Sequence, residues 1–153
     1  MMPFLRGLLV LLHLLAAMIW VGGMGFAYFC LRPAAAEVLD PPRRLPLWVA
    51  TLDRFLRIVA GAVIVILLSG VALLLDTGLR AAPGGWLLMA GLGTVMALVF
   101  SHLASSLFPE LRRRCLASDW PGAAAVLDAI RRRVALNLLL ALGTILAAVQ
   151  ARY

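Results

Sequence analysis

The sequence predicts an all-α integral membrane protein, a four-transmembrane-helix up-and-down bundle. Apolar residues make up 64% of the chain and its mean hydropathy is +1.03, whereas an ordinary soluble domain is about 45–50% apolar. The apolar residues are concentrated in four long blocks with charged connections between them. Such a chain needs lipid as its solvent, and its length sets the number of membrane spans.

Each apolar block is long enough to cross a membrane as a helix. A span needs about 20 apolar residues, because a helix rises about 1.5 Å per residue through roughly 30 Å of hydrocarbon. The blocks lack the alternation of a lipid-facing barrel strand, so helices are the predicted spanning structure. We therefore predict one integral membrane domain over 1–153, with spans at about 4–31, 55–75, 86–108 and 134–149.

Local signals mark the ends of these spans. Asp76 and Gly78 end the second span, and Pro109 stops the third. Asp119, followed by Pro121, predicts a helix that starts before the last apolar block and continues into it. The first block is longer than the apolar region of about 7–15 residues in a signal peptide, so we expect it to be a retained span.

The arginines predict the orientation of the chain. All 14 basic residues are arginines, with five in the link between the first two spans, six in the link between the last two, and three elsewhere. The positive-inside rule then places both basic links in the cytoplasm of a bacterial-type cell and both termini in the periplasm, with the protein in the inner (plasma) membrane. Because the charge gathers at the ends of apolar blocks, it indicates topology and not a nucleic-acid partner.

A few polar side chains interrupt the apolar blocks, and they are the first candidate site residues. They are His13, Ser69, His102, Asn137 and Thr144. A charged or strongly polar group inside a span costs about 2.5–3.5 kcal/mol on insertion scales, so we expect these groups to face protein or water.

Helical periodicity places several candidates on common faces. At 100° per residue, His13, Trp20 and Met24 fall within a narrow arc of the first span, which we predict to be its inward face. Asn137 and Thr144 lie on one stripe of the fourth span, which is predicted to face the bundle centre.

The third span gives a less coherent pattern. Met89 and Met96 lie about 120–140° around the helix from His102, so no cluster of His and Met is expected there. Counted along the helices, His102 lies about 7 Å inward of its span's centre and His13 about 6 Å outward of its own. Ser69 and Thr144 fall near the depth of His13, and Asn137 near that of His102.

The depth difference bears on haem binding. A separation of roughly 13 Å between His13 and His102 is too large for two ligands of one haem iron. A haem with one histidine ligand and a metal relay both stay open. So does the purely structural alternative, in which each histidine hydrogen-bonds a neighbour in the bundle.

Two segments resemble the copper resistance protein D (CopD) family. Residues 13–23 (HLLAAMIWVGG), followed by 31–34 (LRPA), are similar to the family's opening span, and Arg54-Phe55 leading to 68–71 (LSGV) is similar to its next helix. The resemblance covers most of the chain and thins after Gly85. It implies an inner-membrane protein linked to copper import or tolerance, with His13 as the first candidate ligand.

The resemblance fits the ligand chemistry of the first span. Cu(I) prefers thioether, thiolate and imidazole ligands, and Met24 lies on the His13 face. His13, Met24 and His102 are therefore the candidate metal or haem ligands, whereas Trp20, Ser69, Asn137 and Thr144 are predicted to line or pack the pathway. We expect a copper ion as the bound species and the lipid bilayer as the surroundings. A second copy, or a membrane or periplasmic copper protein, is the expected partner.

A weaker resemblance is to the HemJ-type protoporphyrinogen oxidases, small four-span membrane enzymes with haem b. It depends on an early histidine, on His102 near the end of the third span and on Asn137 after an arginine cluster, and it implies a haem-dependent oxidoreductase. A third alternative is a non-catalytic assembly subunit. The sequence contains no nucleophile–base signature, P-loop or Cys-x-x-Cys, which disfavours soluble-enzyme chemistry. Cys30 and Cys115 are expected to be free thiols.

Overall fold

A computed structural model describes residues 2–151. The chain forms four long helical rods, each of them long and apolar enough to cross a membrane, and no β-strand occurs in the described range. The rods are Pro3–Val38, Pro41–Thr77, Gly84–Leu116 and Trp120–Gln150. The predicted all-α four-helix bundle is confirmed.

The rods are built from six α-helices and two π-helical turns. The elements are α1 (Pro3–Phe26), a π-turn (Ala27–Leu31), α2 (Arg32–Val38), α3 (Pro41–Thr77), α4 (Gly84–His102), a second π-turn (Leu103–Leu107), α5 (Phe108–Leu116) and α6 (Trp120–Gln150). α1 packs along α3, and α4 packs along α6, so the bundle consists of two helical hairpins. The four predicted spans lie inside the rods, which extend further at the end where the arginines gather, called the arginine-rich edge below.

Both π-turns precede a proline. Pro33 follows the turn Ala27–Leu31, and Pro109 follows the turn Leu103–Leu107. Proline has no N–H and its ring clashes with the carbonyl four residues earlier, so the preceding turn widens and its carbonyls bond one residue further along. The expectation that Pro109 stops the third helix is therefore wrong, because the π-turn accommodates the proline and the rod continues to Leu116.

Polar contacts hold the ends of the hairpins. Away from the arginine-rich edge, the Arg6 guanidinium lies 3.6 Å from the Asp76 carboxylate and so links the start of α1 to the end of α3. Gly78, with a φ of 83°, ends α3 in a conformation that favours glycine. At the arginine-rich edge, Asp119 accepts a hydrogen bond of 3.0 Å from the Gly122 N–H, which confirms the predicted start of the last helix.

The buried side chains form two layers. One layer lies at the arginine-rich edge and contains Leu45, Trp48, Leu52, Leu56, Leu103, Leu111, Ala123, Leu127 and Ile130. The other, called the central cluster below, contains Trp20, Met24, Val59, Val63, Met96 and Ala141. Large apolar side chains also cover the outside, with Met18 69%, Leu68 68% and Leu139 69% exposed. A surface this apolar is suited to lipid and not to water.

The two helices of the second hairpin approach each other closely at Gly85. A Cβ atom on Gly85 would overlap the carbonyl oxygen of Ala147 and would lie 2.8 Å from the Cβ of Ala151, whereas a Cβ on Gly84 would meet nothing within 4 Å. We expect Gly85→Ala to lower the free energy of unfolding by about 1–3 kcal/mol through overpacking. The matched control Gly84→Ala should not lower it. Thermal unfolding in detergent measures both, and equal midpoints would contradict this account of the contact.

Candidate functional site

A polar pair joins α1 to α3 in the half of the bundle away from the arginine-rich edge. His13 Nδ1 lies 2.9 Å from Ser69 Oγ; the serine is buried and the histidine is half-buried. Gly70 makes room for the ring, because a Cβ at that position would lie 3.4 Å from His13 Cε1. The structure thus brings together two candidates that the sequence placed at similar depth on different helices.

The hydrogen bonds of Ser69 favour one tautomer of His13. Ser69 Oγ lies 2.5 Å from the carbonyl oxygen of Val65, which can only accept, so the serine donates its single hydroxyl hydrogen there. With the hydrogen placed there, Ser69 Oγ accepts from His13 Nδ1–H, which is the direction that this geometry favours. A neutral imidazole carries one N–H, and its Nε2 therefore keeps a lone pair. This is the form in which histidine binds metals, with its second nitrogen held by a neighbour.

The central cluster contains two methionines from different hairpins. Met24 of α1 and Met96 of α4 are each 3% exposed, and Trp20 is 4% exposed beside them. Trp20 packs edge-on against Phe100, with 6.0 Å between the ring centroids. The predicted inward orientation of Trp20 and Met24 is confirmed, and the fold places a second thioether in the same cluster.

Two polar side chains of α6 contact Met96. Asn137 Nδ2 donates to the backbone oxygen of Met96 at 3.3 Å, and Thr144 Oγ1 lies 3.9 Å from the Met96 sulfur. Thr144 also donates to the Leu140 carbonyl at 2.8 Å, which is the stronger of its two contacts. Asn137 is buried, and its Oδ1 accepts no hydrogen bond from any other residue of the described chain. The predicted inward stripe of the fourth span is thus observed at both positions.

His102 does not join either group. It lies at the end of α4 on an exposed face, together with Gly91, Val95 and Ser106. This imidazole was expected to face protein or water, and in the single chain it does not face protein. His13 and His102 consequently offer no bis-histidine haem site.

Met96 is the residue that sequence reasoning set aside. Met96 lies about 120° around the helix from His102. In the structure, Met96 is on the buried side of the helix and His102 is on the exposed side. Met96 and Leu103, seven positions apart and both buried, mark the true inward stripe of the third rod. Within this rod, α4 is apolar on every side, so its hydrophobic pattern does not reveal which side is buried.

The available ligand chemistry is soft and uncharged. Within residues 2–151 no three His, Cys, Asp or Glu side chains come together as a metal site. Cys30 and Cys115 are free thiols, as predicted, and both lie outside the central cluster. Thioethers and a neutral imidazole remain, and these ligands suit Cu(I) better than zinc, calcium or magnesium.

Asn137 tests whether the polar contact in the core is a structural requirement. An interhelical hydrogen bond inside a membrane contributes about 0.6 kcal/mol on average, whereas an unsatisfied buried acceptor costs about 1–3 kcal/mol. We therefore expect Asn137→Leu, which removes both polar groups and keeps the number and branching of the heavy atoms, to leave the unfolding midpoint unchanged or to raise it. Asn137→Ala should lower the midpoint because it leaves a cavity. If Asn137→Leu lowered the unfolding midpoint as much as Asn137→Ala, the amide would be needed for folding.

Comparison with known proteins places the chain in a family. The sequence profile of copper resistance protein D matches residues 49–150, which include most of α3 and all of α4, α5 and α6. The matched range continues beyond Gly85, and it does not include α1, which carries His13. No curated protein and no solved structure matches the chain, and none of these findings supports the HemJ resemblance. The chain belongs to the copper resistance protein D family.

Proposed function

We propose that this protein handles copper, as Cu(I), at a bacterial inner membrane, in copper import, tolerance or delivery. The observation that supports this most strongly is the pair of buried thioethers, Met24 and Met96, which different hairpins contribute to one central cluster. The membership of the chain in the copper resistance protein D family supports the same cargo.

The central cluster suits Cu(I) for two reasons. Thioethers bind this soft ion without being deprotonated, so copper can bind or leave without moving protons through the membrane. The surrounding side chains, Trp20, Val59 and Val63, keep water away from the two sulfur atoms. The unpartnered Oδ1 of Asn137, in contact with the Met96 segment, would offer an additional neutral oxygen.

His13 would serve copper at a second level. It lies eleven positions before Met24 on α1, or roughly 16 Å along the helix axis, with Trp20 between them on the same face. Ser69 holds Nδ1 and leaves Nε2 to the metal, as an outer-shell partner does in many metal sites. Copper would therefore bind at the histidine and at the thioethers one after the other.

The direction of the route follows from the arginines. With the arginine-rich edge in the cytoplasm, both termini and the His13 level lie towards the periplasm. A periplasmic or membrane copper protein would then exchange copper with His13 first. His102, exposed on the outside of α4, would contact a second copy of the chain or another membrane protein.

The methionine pair gives the first test of this function. Met24→Leu and Met96→Leu remove the thioether and nearly keep the volume, so each should cost less than about 1.5 kcal/mol of stability. We expect each substitution to weaken Cu(I) binding at least about tenfold. Loss of a residue that only orients a metal ligand already weakens binding by about that factor, and here a ligand itself is removed. Competition with a Cu(I) chelator on the purified protein measures the affinity.

The control for that test is Met18→Leu. Met18 is 69% exposed on the lipid side of the same helix, so its replacement should leave the affinity unchanged. Equal losses from all three variants, or no stoichiometric copper in the wild type, would refute the proposed thioether site. An absorption spectrum with a Soret band and no copper would favour the haem enzyme instead.

The His13 level has a separate test in cells. His13→Ala should bring cellular copper content to that of cells without the protein. Ser69→Ala should weaken copper binding by about tenfold, because the imidazole loses the group that orients it. Ser101→Ala is the control, since this exposed hydroxyl only donates to its own helix at Ala97. Unchanged copper content with His13→Ala would remove His13 from the route.

A further inference from the structure

A groove of about 530 Å³ opens at the arginine-rich edge, away from the central cluster. It lies between the first half of α3 and α5, and its apolar wall includes Val49, Phe108 and Leu116. Phe108 ends the predicted third span, and the second begins at about 55. The groove therefore lies where the hydrocarbon meets the headgroup region, and its volume falls in the range of about 300–1,000 Å³ typical of ligand sites.

The groove carries one uncompensated positive charge. Three charged side chains line it: Asp53, Arg57 and Arg112. The Arg57 guanidinium pairs with the Asp53 carboxylate, and its Nε also donates to the Asp53 backbone oxygen at 3.0 Å. Arg112 makes no hydrogen bond or ion pair with any other residue between 2 and 151. A guanidinium in this position offers two parallel N–H donors to an anion.

We propose that this groove binds one anionic phospholipid. An acyl chain would lie along Phe108, at the end of the third span, and the phosphate would accept hydrogen bonds from Arg112. The arrangement has the two features that basic inter-helix sites for lipid headgroups need, a cation at headgroup depth and an apolar wall that continues into the bilayer. The single free charge matches the single negative charge of a phosphodiester.

Cys115 makes the proposal measurable. Its thiol lines the groove and is half-buried, and it forms no disulfide. A lipid in the groove would cover this thiol and slow its reaction with a maleimide. The other thiol, Cys30, is exposed on the first π-turn and does not line the groove, so Cys30→Ser gives a chain in which Cys115 alone reports.

The experiment uses the full chain with Cys30→Ser, reconstituted in phosphatidylcholine nanodiscs with or without phosphatidylglycerol. We expect phosphatidylglycerol to slow maleimide labelling of Cys115 about fivefold, the effect of one arginine near an anionic headgroup. Arg112→Gln should abolish this protection. The control is Arg132→Gln, which removes an exposed arginine that lies outside the groove and pairs with Asp128; it should keep the protection.

Three results would overturn the proposal. These are equal labelling with and without phosphatidylglycerol, equal loss of protection in Arg112→Gln and Arg132→Gln, and protection by an acidic peptide in place of the lipid. The last result would mark the groove as a protein-binding surface. If Arg112→Gln does not fold, the labelling of Cys115 is measured in Arg112→Lys and in the presence of added salt. Protection should survive the lysine and weaken with salt, because an exposed ionic contact is screened.

Discussion

Hydrocarbon offers no hydrogen-bond partners, and this constraint organises the polar interior of the bundle. Hydroxyl groups in the spans donate to carbonyls of their own helices, as Ser69 does to Val65 and Thr144 to Leu140. Once that hydrogen is committed, a hydroxyl oxygen can only accept from a neighbouring helix. This restriction favours the tautomer of His13 that carries its hydrogen on Nδ1, in which Nε2 keeps a lone pair. The hydrogen bond by which a hydroxyl is satisfied within its own helix thereby influences the chemistry of the candidate ligand.

The first and third rods accommodate a proline in the same way, and this bears on how the two hairpins pack together. The first and third rods both contain a π-turn with a proline two residues after its end, and both continue as helix beyond it. Trp20 lies thirteen positions before Pro33, and Met96 lies thirteen positions before Pro109. The two hairpins therefore share a construction in which equivalent positions of the first and third rods are buried in the central cluster. That equivalence brings Trp20 and Met96 into one cluster, and Met24 lies one helical turn beyond Trp20 on the same face of the first rod.

The sequence predicted what local physical chemistry determines. The number of spans follows from apolar length, the inward face of α1 from periodicity, and the start of α6 from the capping chemistry of Asp119. It could not orient the third rod, because that helix is apolar all round and its single histidine is on the exposed side. The contact of Asn137 with the Met96 backbone depends on the register between α4 and α6. Register is set by packing, including the close approach at Gly85, and not by any local signal.

Charge placement bears on whether copper would be stored or passed on. All seven acidic residues lie at or beyond the ends of the apolar blocks, so no carboxylate belongs to the central cluster, and a cavity beside Met24 is lined by two arginines, Arg32 and Arg131. A Cu(I) ion in the central cluster would bring one positive charge that no nearby carboxylate balances, and an isolated charge at this depth is costly. Ligands that only partly offset that cost bind an ion long enough to receive it and weakly enough to release it. Under the proposed function, the central cluster would be better suited to the passage of copper than to its retention, and the separate His13 level would give the ion a second position on the same helix face.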